Sequence, residues 1–234
     1  MHARTQHAAD SKWRPIVGAA LLFVAGACHT APDSLPTGRG LLVPAAQEAP
    51  SEESFGAPTW KDGDTFEFVR GSTVRLRYRV EAVDGGGWNL VDVDKGTRLA
   101  LDNDLGQLGE RGSDGDWRVR FDPVDPSFAW PLWPGKQWMG EFVRRAEGDR
   151  EVLLLASYRC GPVEWIDGPA GRVRAIQVWR TLSLAGAEGV PDFVSLLWYA
   201  PEYGTFARRL ESGLLTELSA ALRQHGGESG PVAQ

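Results

Sequence analysis

Between residues 73 and 83 apolar and charged positions alternate without a break. Val74, Leu76, Tyr78, Val80 and Ala82 fall on one side, and Arg75, Arg77, Arg79 and Glu81 on the other. A period of two puts successive side chains on opposite faces of a strand, so this stretch predicts a half-buried antiparallel strand with its charged face in water. Asp84-Gly85-Gly86-Gly87 predicts a turn, and residues 88–93 the return strand. Further strands are predicted at 66–70, 97–101, 117–121, 137–145, 151–159, 172–184, 193–200 and 205–211, nearly all separated by turn residues. Nothing before Leu214 has the period of a long amphipathic helix, and residues 214–223 fit either a short C-terminal helix or a last strand. The expected fold is mainly β: a curved antiparallel sheet or half-barrel, with at most a short C-terminal helix. A faint internal echo adds a variant. Trp60, Gly63, Phe66 and Phe68 recur in order as Trp133, Gly135, Trp138 and Phe142, as two related β lobes or two halves of one curved sheet would require.

The first 58 residues carry no such pattern. Arg4, Lys12 and Arg14 precede an apolar run from Ile16 to Val24, and the run ends in Ala25-Gly26-Ala27-Cys28. This is the three-part layout of a secretory signal, with small residues ahead of a cysteine where a simple signal would end in Ala-x-Ala. The run is far shorter than the ~20 residues that span a bilayer. Residues 1–27 are therefore read as a signal peptide and Cys28 as the lipidation site, with a plain signal peptide cleaved elsewhere as the rival, since Ala25 stands where Leu is more usual. Residues 28–58 are read as the lipidated cysteine and a disordered tether, because Pro32, Pro36, Pro44, Pro50 and Pro58 interrupt them and no periodicity survives. A flexible coil of that length reaches on the order of 30 Å. The β domain is expected over residues 59–223 and a loose tail over 224–234.

Composition narrows the chemistry. The net charge is −6, which argues against nucleic acid and against electrostatic adhesion to anionic lipid. With Cys28 acylated, Cys160 is left without an intramolecular partner and is expected to be a buried small hydrophobe. The four histidines are His2, His7, His29 and His225, all outside the expected β domain. That domain accordingly has no histidine for a Ser-His-Asp or Cys-His site, nor for the usual zinc or copper site. Acids crowd the segment 92–125: Asp92, Asp94, Asp102, Asp104, Asp114, Asp116, Asp122 and Asp125. The pairs Asp92/Asp94 and Asp102/Asp104 lack the glycine and closing Glu of a calcium loop, so turns and a solvated strand face account for them, with calcium or a carboxylate hydrolase as lesser readings. No cofactor is expected. Phe128, Trp130, Trp133 and Trp138, interleaved with prolines, form the best binding candidate, either as a plug that closes the core or as a platform for an acyl chain, a glycan or a partner strand.

The segments Phe128-Ala-Trp-Pro-Leu-Trp-Pro-Gly-Lys-Gln-Trp138, Val163-Glu-Trp-Ile-Asp-Gly-Pro-Ala-Gly171 and Trp198-Tyr-Ala-Pro-Glu-Tyr-Gly204 together resemble a pattern of uncharacterised proteobacterial envelope lipoproteins with a TapB-type domain of unknown function. The chain departs from it at Arg172-Val173, where the family carries a Phe, and at Asp167-Gly168. The resemblance implies a curved antiparallel sheet akin to the half-barrels of lipoprotein carriers such as LolA, and it implies no activity. It also implies that His29 after the cysteine favours sorting to the outer membrane. Physically, Pro169-Ala170-Gly171 reads as a hairpin turn, and Pro201–Gly204 as a turn whose glycine is free to take positive φ.

The expected function is that of a non-catalytic, lipid-anchored protein of the cell envelope, on the outer membrane and facing the periplasm. It binds an apolar ligand or an envelope partner through Trp130, Trp133, Trp138, Trp198 and Tyr199. The alternatives are a purely structural or assembly lipoprotein and, remotely, a carboxylate hydrolase using Asp102 and Asp104. The membrane is expected to be reached through acyl chains on Cys28, at ~0.8 kcal/mol per buried methylene.

Overall fold

The structure is a computed structural model that describes residues 38–42, 53–149, 151–187 and 192–223. These carry thirteen strands: β1 (Gly40–Leu42), β2 (Thr65–Arg70), β3 (Val74–Ala82), β4 (Trp88–Asp92), β5 (Arg98–Leu101), β6 (Gln107–Arg111), β7 (Trp117–Asp125), β8 (Gln137–Ala146), β9 (Val152–Gly168), β10 (Gly171–Leu184), β11 (Phe193–Ala200), β12 (Thr205–Glu211) and β13 (Leu214–Leu222). From β2 to β13 every strand pairs antiparallel with the next, β13 returns to β2, and β8 pairs with β9 over Gln137–Arg144. The curved antiparallel sheet expected from the alternation is therefore present, and it closes into an up-and-down barrel rather than stopping as a half-barrel. Trp60 and Trp133, the landmarks of the internal echo, precede β2 and β8 of this one sheet, so the echo marks no second lobe.

Alternation decides which way each strand faces. On β2 and β3, Phe66, Phe68, Leu76 and Val80 are buried, while Arg75, Arg77 and Arg79 are exposed. The outer face of β7 carries Arg118, Arg120 and Asp122, all exposed. A barrel wall with such charges lacks the continuous apolar belt of a membrane-spanning barrel. Register shifts on β5/β6, β6/β7, β9/β10, β11/β12 and β13/β2 supply the local bends that closure needs.

Residues 214–222 form a strand, not a helix. A helix of this length is marginal in water, whereas as a strand the segment pairs on both edges, with β12 and with β2.

Parts of the segment read as tether belong to the folded body. The ladder between β7 and β8 ends at the pair Asp122↔Val143, because the next residue, Pro123, has no N–H to donate. That leaves the β8 edge at Met139–Glu141 open, and β1 pairs there. Arg39 adds a bond to Glu141 at 2.7 Å. Phe55 exchanges two backbone hydrogen bonds with Leu132, each of 2.8 Å, and is buried. The β domain, expected to start at residue 59, thus includes both stretches.

A barrel of about eight strands is filled by ordinary side chains, while one of sixteen leaves an aqueous channel. Twelve strands lie between, and large aromatics make up the difference. One core cluster gathers Trp60, Phe66, Phe68, Val80, Ile166 and Tyr203. A second gathers Phe55, Leu132, Trp138, Phe142, Tyr158 and Cys160. Phe128 and Trp130, on the connection from β7 to β8, pack against both.

Candidate functional site

The tryptophans of the β7–β8 connection and of the start of β8 are held by the protein's own groups. Trp138 is fully buried, stacks on Tyr158 with ring centroids 5.0 Å apart, and donates its indole N–H to the Pro126 carbonyl at 2.8 Å. Trp130 stacks on Phe128, meets Tyr199 edge-on and donates to the Asp104 carbonyl at 2.8 Å. Trp133 is buried beneath the Lys136 ammonium, which lies 4.1 Å from its ring centroid and donates to the carbonyls of Ala129 and Pro131. Burial holds the Lys136 pKa below its ordinary value. Trp60, outside the cluster, does the same through the Gly204 carbonyl at 2.7 Å. Gly204 takes the positive φ foreseen for it. The N–H groups of Trp60, Trp130 and Trp138 are thus committed internally, and these rings serve the core packing.

The remaining two candidates part company. Trp198 is half-buried and donates to the Glu164 carboxylate. Tyr199 is buried, donates its hydroxyl to the Gly56 carbonyl at 3.2 Å and lines an internal pocket. Burial pushes its phenol pKa up. Of the five aromatic candidates, Tyr199 reaches that pocket directly, while Trp130 touches it through Phe128 and Tyr199. Cys28 lies outside the described residues.

The pocket has a volume of about 130 Å³. Leu90, Leu99, Leu197 and Phe206 supply apolar wall, and Gln107, Ser127, Ser195, Thr205, Arg180 and Arg209 supply polar lining. Ser195 and Thr205 are each only 7% exposed, and their hydroxyls have no protein partner among the described residues. Both oxygens stay accessible from the pocket, where a guest can pair with them. An apolar pocket with a few convergent polar groups is the usual form of a small-molecule site.

At the pocket edge lies a buried ionic network that the sequence reading missed. Arg180 donates Nη2 to Asp125 Oδ2 at 2.5 Å and Nε to the Tyr158 hydroxyl at 3.2 Å. Tyr158 in turn donates to Asp125 Oδ1. Burial raises the Tyr158 phenol pKa and the Asp125 carboxylate adds to that rise. For Arg180, burial works against the charge, but Tyr158 and Asp125 outweigh it and the guanidinium pKa is raised. The signal lay in the alternation itself, since Arg180 interrupts the apolar face formed by Val178, Leu182 and Leu184.

The other acids serve turns and surface pairs. Asp92 accepts the amides of Asp94 and Lys95, each at 3.0 Å, and Asp102 those of Asp104 and Gly106. Burial raises the Asp102 pKa. Asp94 pairs with Arg77, Asp114 with Arg118 and Asp122 with Arg145. Cys160 is buried, and burial pushes its thiol up to about 12.

No family model matches the chain, and no curated protein does. The resemblance to TapB-type domains therefore stays a reading of its motifs. Among solved structures the fold is similar to the hypothetical lipoprotein YmcC of Escherichia coli (K12), with a TM-score of 0.44 and 11% identity over 74% of this chain and 91% of that one. A Bacteroides fragilis protein with a YmcC-like fold aligns with a TM-score of 0.39 and 14% identity, over 73% of this chain and 100% of that one.

Proposed function

We propose that the chain is a lipid-anchored, non-catalytic protein of the cell envelope whose barrel holds a small ligand between its two aromatic cores. One observation carries the ligand half: Ser195 and Thr205 line an otherwise largely apolar pocket with hydroxyls that have no protein partner among the described residues. The anchor half rests on the basic leader, the apolar run and Cys28, and an outer-membrane, periplasm-facing position is part of the proposal, supported by His29 after the cysteine as the family resemblance implies. The pocket volume sharpens the ligand. A cavity of roughly 150 Å³ accommodates a benzene-sized guest, so this one suits a small molecule and is far below the space a whole acyl chain requires.

Intact-mass measurement of protein extracted in mild detergent checks the anchor. The expected outcome is a mature chain beginning at Cys28 and carrying acyl groups, which Cys28→Ser abolishes; palmitate labelling that survives this change refutes it. Native mass spectrometry of the same preparation checks the ligand half, through a stoichiometric small adduct that a pocket-filling Leu197→Trp removes. A wild-type barrel without an adduct, under conditions that keep non-covalent ligands bound, counts against it.

A second reading, assembly with an envelope partner, has its own observation. Trp179, Leu196, Leu210 and Leu215 are opposed in register across β10–β13, and three of them are exposed large hydrophobics on the outer face. Cross-linking in cells through Leu210 should then recover one dominant partner. The hydrolase reading needs Asp102 and Asp104 for more than their turn, and unchanged phenotypes in the Asp102→Ala and Asp104→Ala variants remove it.

A further inference from the structure

We propose that the pocket is a site for a small monoanionic ligand, an apolar body about the size of one aromatic ring bearing a single carboxylate. This inference rests on the ligand-holding reading above and narrows it to a chemical class.

The strand register builds the anionic end. On the inner face Arg180 of β10 is opposite Ser195 of β11, and Leu197 of β11 is opposite both Val178 and Arg209. Arg180, Ser195 and Arg209 therefore surround Leu197 on three adjacent strands, and all four residues line the pocket. Arg180 uses Nε and Nη2 on Tyr158 and Asp125, which leaves Nη1 without a partner among the described residues. Arg209 uses Nη2 on Glu211 at 2.7 Å, which leaves its Nε and Nη1. The Ser195 hydroxyl between them is open to the pocket and also without a protein partner among the described residues. Two guanidinium groups with spare donors and one free hydroxyl match the lone pairs of a carboxylate.

Arg180 and Arg209 are each already paired with one carboxylate, Asp125 and Glu211, so their charges balance in the empty pocket. The ligand carboxylate is therefore held by the spare guanidinium donors and the Ser195 hydroxyl, and three such groups suit one carboxylate rather than two. The apolar wall of Leu90, Leu99, Leu197 and Phe206 then takes the body of the ligand, and the volume of about 130 Å³ limits that body to roughly one ring.

The test uses the full chain labelled with ¹⁵N, titrated with phenylacetate and with its neutral counterpart phenylacetamide. Both probes should shift the amides of Ser195, Leu197 and Thr205, with phenylacetate binding at least about tenfold more tightly, as charge-assisted hydrogen bonds require. Arg209→Gln should lose about tenfold in phenylacetate affinity and leave phenylacetamide unchanged. Arg209 is partly exposed at the pocket, so the variant should keep its fold, which a thermal melt checks. Leu197→Trp should silence both probes at these amides. Equal binding of acid and amide overturns the anionic class while leaving a ligand-holding barrel intact. Silence with both probes overturns it too, and an adduct lost from Leu197→Trp in the native mass spectrum then still separates the two readings. Shifts confined to the outer face of the barrel overturn the assignment to this pocket.

Discussion

Asp125 and Arg180 sit where an alternating β strand would place aliphatic side chains, and the consequences of that exchange are large at single residues. Asp125 is fully buried, and its two oxygens are taken by Arg180 and Tyr158. Asp125→Ala leaves the Arg180 cation buried without its counter-ion, which is expected to cost roughly 3–5 kcal/mol. Replacing both, as Asp125→Leu with Arg180→Met, should recover most of that loss, because two charges then need no desolvation. Urea unfolding of the single and double variants measures both, and a single variant within about 1 kcal/mol of wild type contradicts the network. Cys160 offers a pH handle. Its thiol pKa is about 12 in the fold against an ordinary 9.0, so the folded state keeps the neutral form longer than the unfolded chain does. Stability from this group is complete below about pH 9 and declines as pH rises through about 12, by roughly 1.4 kcal/mol per pH unit in between. Cys160→Ala should flatten that part of the alkaline limb, and native protein at pH 8 should resist thiol reagents until it is unfolded.

At the scale of elements, β1 tests how a proline sets sheet topology. Pro123 ends one ladder and opens an edge on β8, which β1 covers. Gly38 makes the approach possible, since a Cβ there would lie 2.5 Å from the Glu141 carbonyl oxygen and 2.6 Å from Phe142 Cα. Gly38→Ala should therefore lift β1 away without unfolding the barrel. Hydrogen exchange at Met139 and Glu141 should quicken severalfold while Leu153 and Leu155, on the opposite β9 edge, stay protected; unchanged protection at β8 contradicts this docking. The β7–β8 connection is the complementary case. Its aromatics were open to two readings, a plug or a binding platform, and the indole N–H groups of Trp130 and of Trp138 at the start of β8, turned onto backbone carbonyls, favour the plug.

For the whole molecule, closure is the property that matters. An open sheet exposes two rows of unpaired backbone groups, and a closed one exposes none. The β8–β9 ladder should accordingly exchange as slowly as ladders elsewhere in the barrel, such as β2–β3. One strand exchanging fast along its full length would contradict closure and restore the half-barrel. Closure also creates the pocket. A ring of twelve strands is wider than its aromatics can fill completely, and the space left over lies between the two clusters.

Local pattern was enough to determine most of the strands, with β1, β6 and the second half of β9 missed, and the faces and turns of those it found, because a period of two and a glycine or proline between runs are properties of neighbouring residues. It also determined that the acids of 92–125 belong mainly to turns and surface pairs. Tertiary structure alone decided that the sheet closes, that residues 214–222 extend as a strand, that β1 docks and that Arg180, Ser195 and Arg209 meet. Each of these depends on pairings between residues far apart in the chain, whose partners no local periodicity specifies. Asp125 lies 55 positions from Arg180, so its role as a counter-ion exists only once the strands between them have been laid side by side.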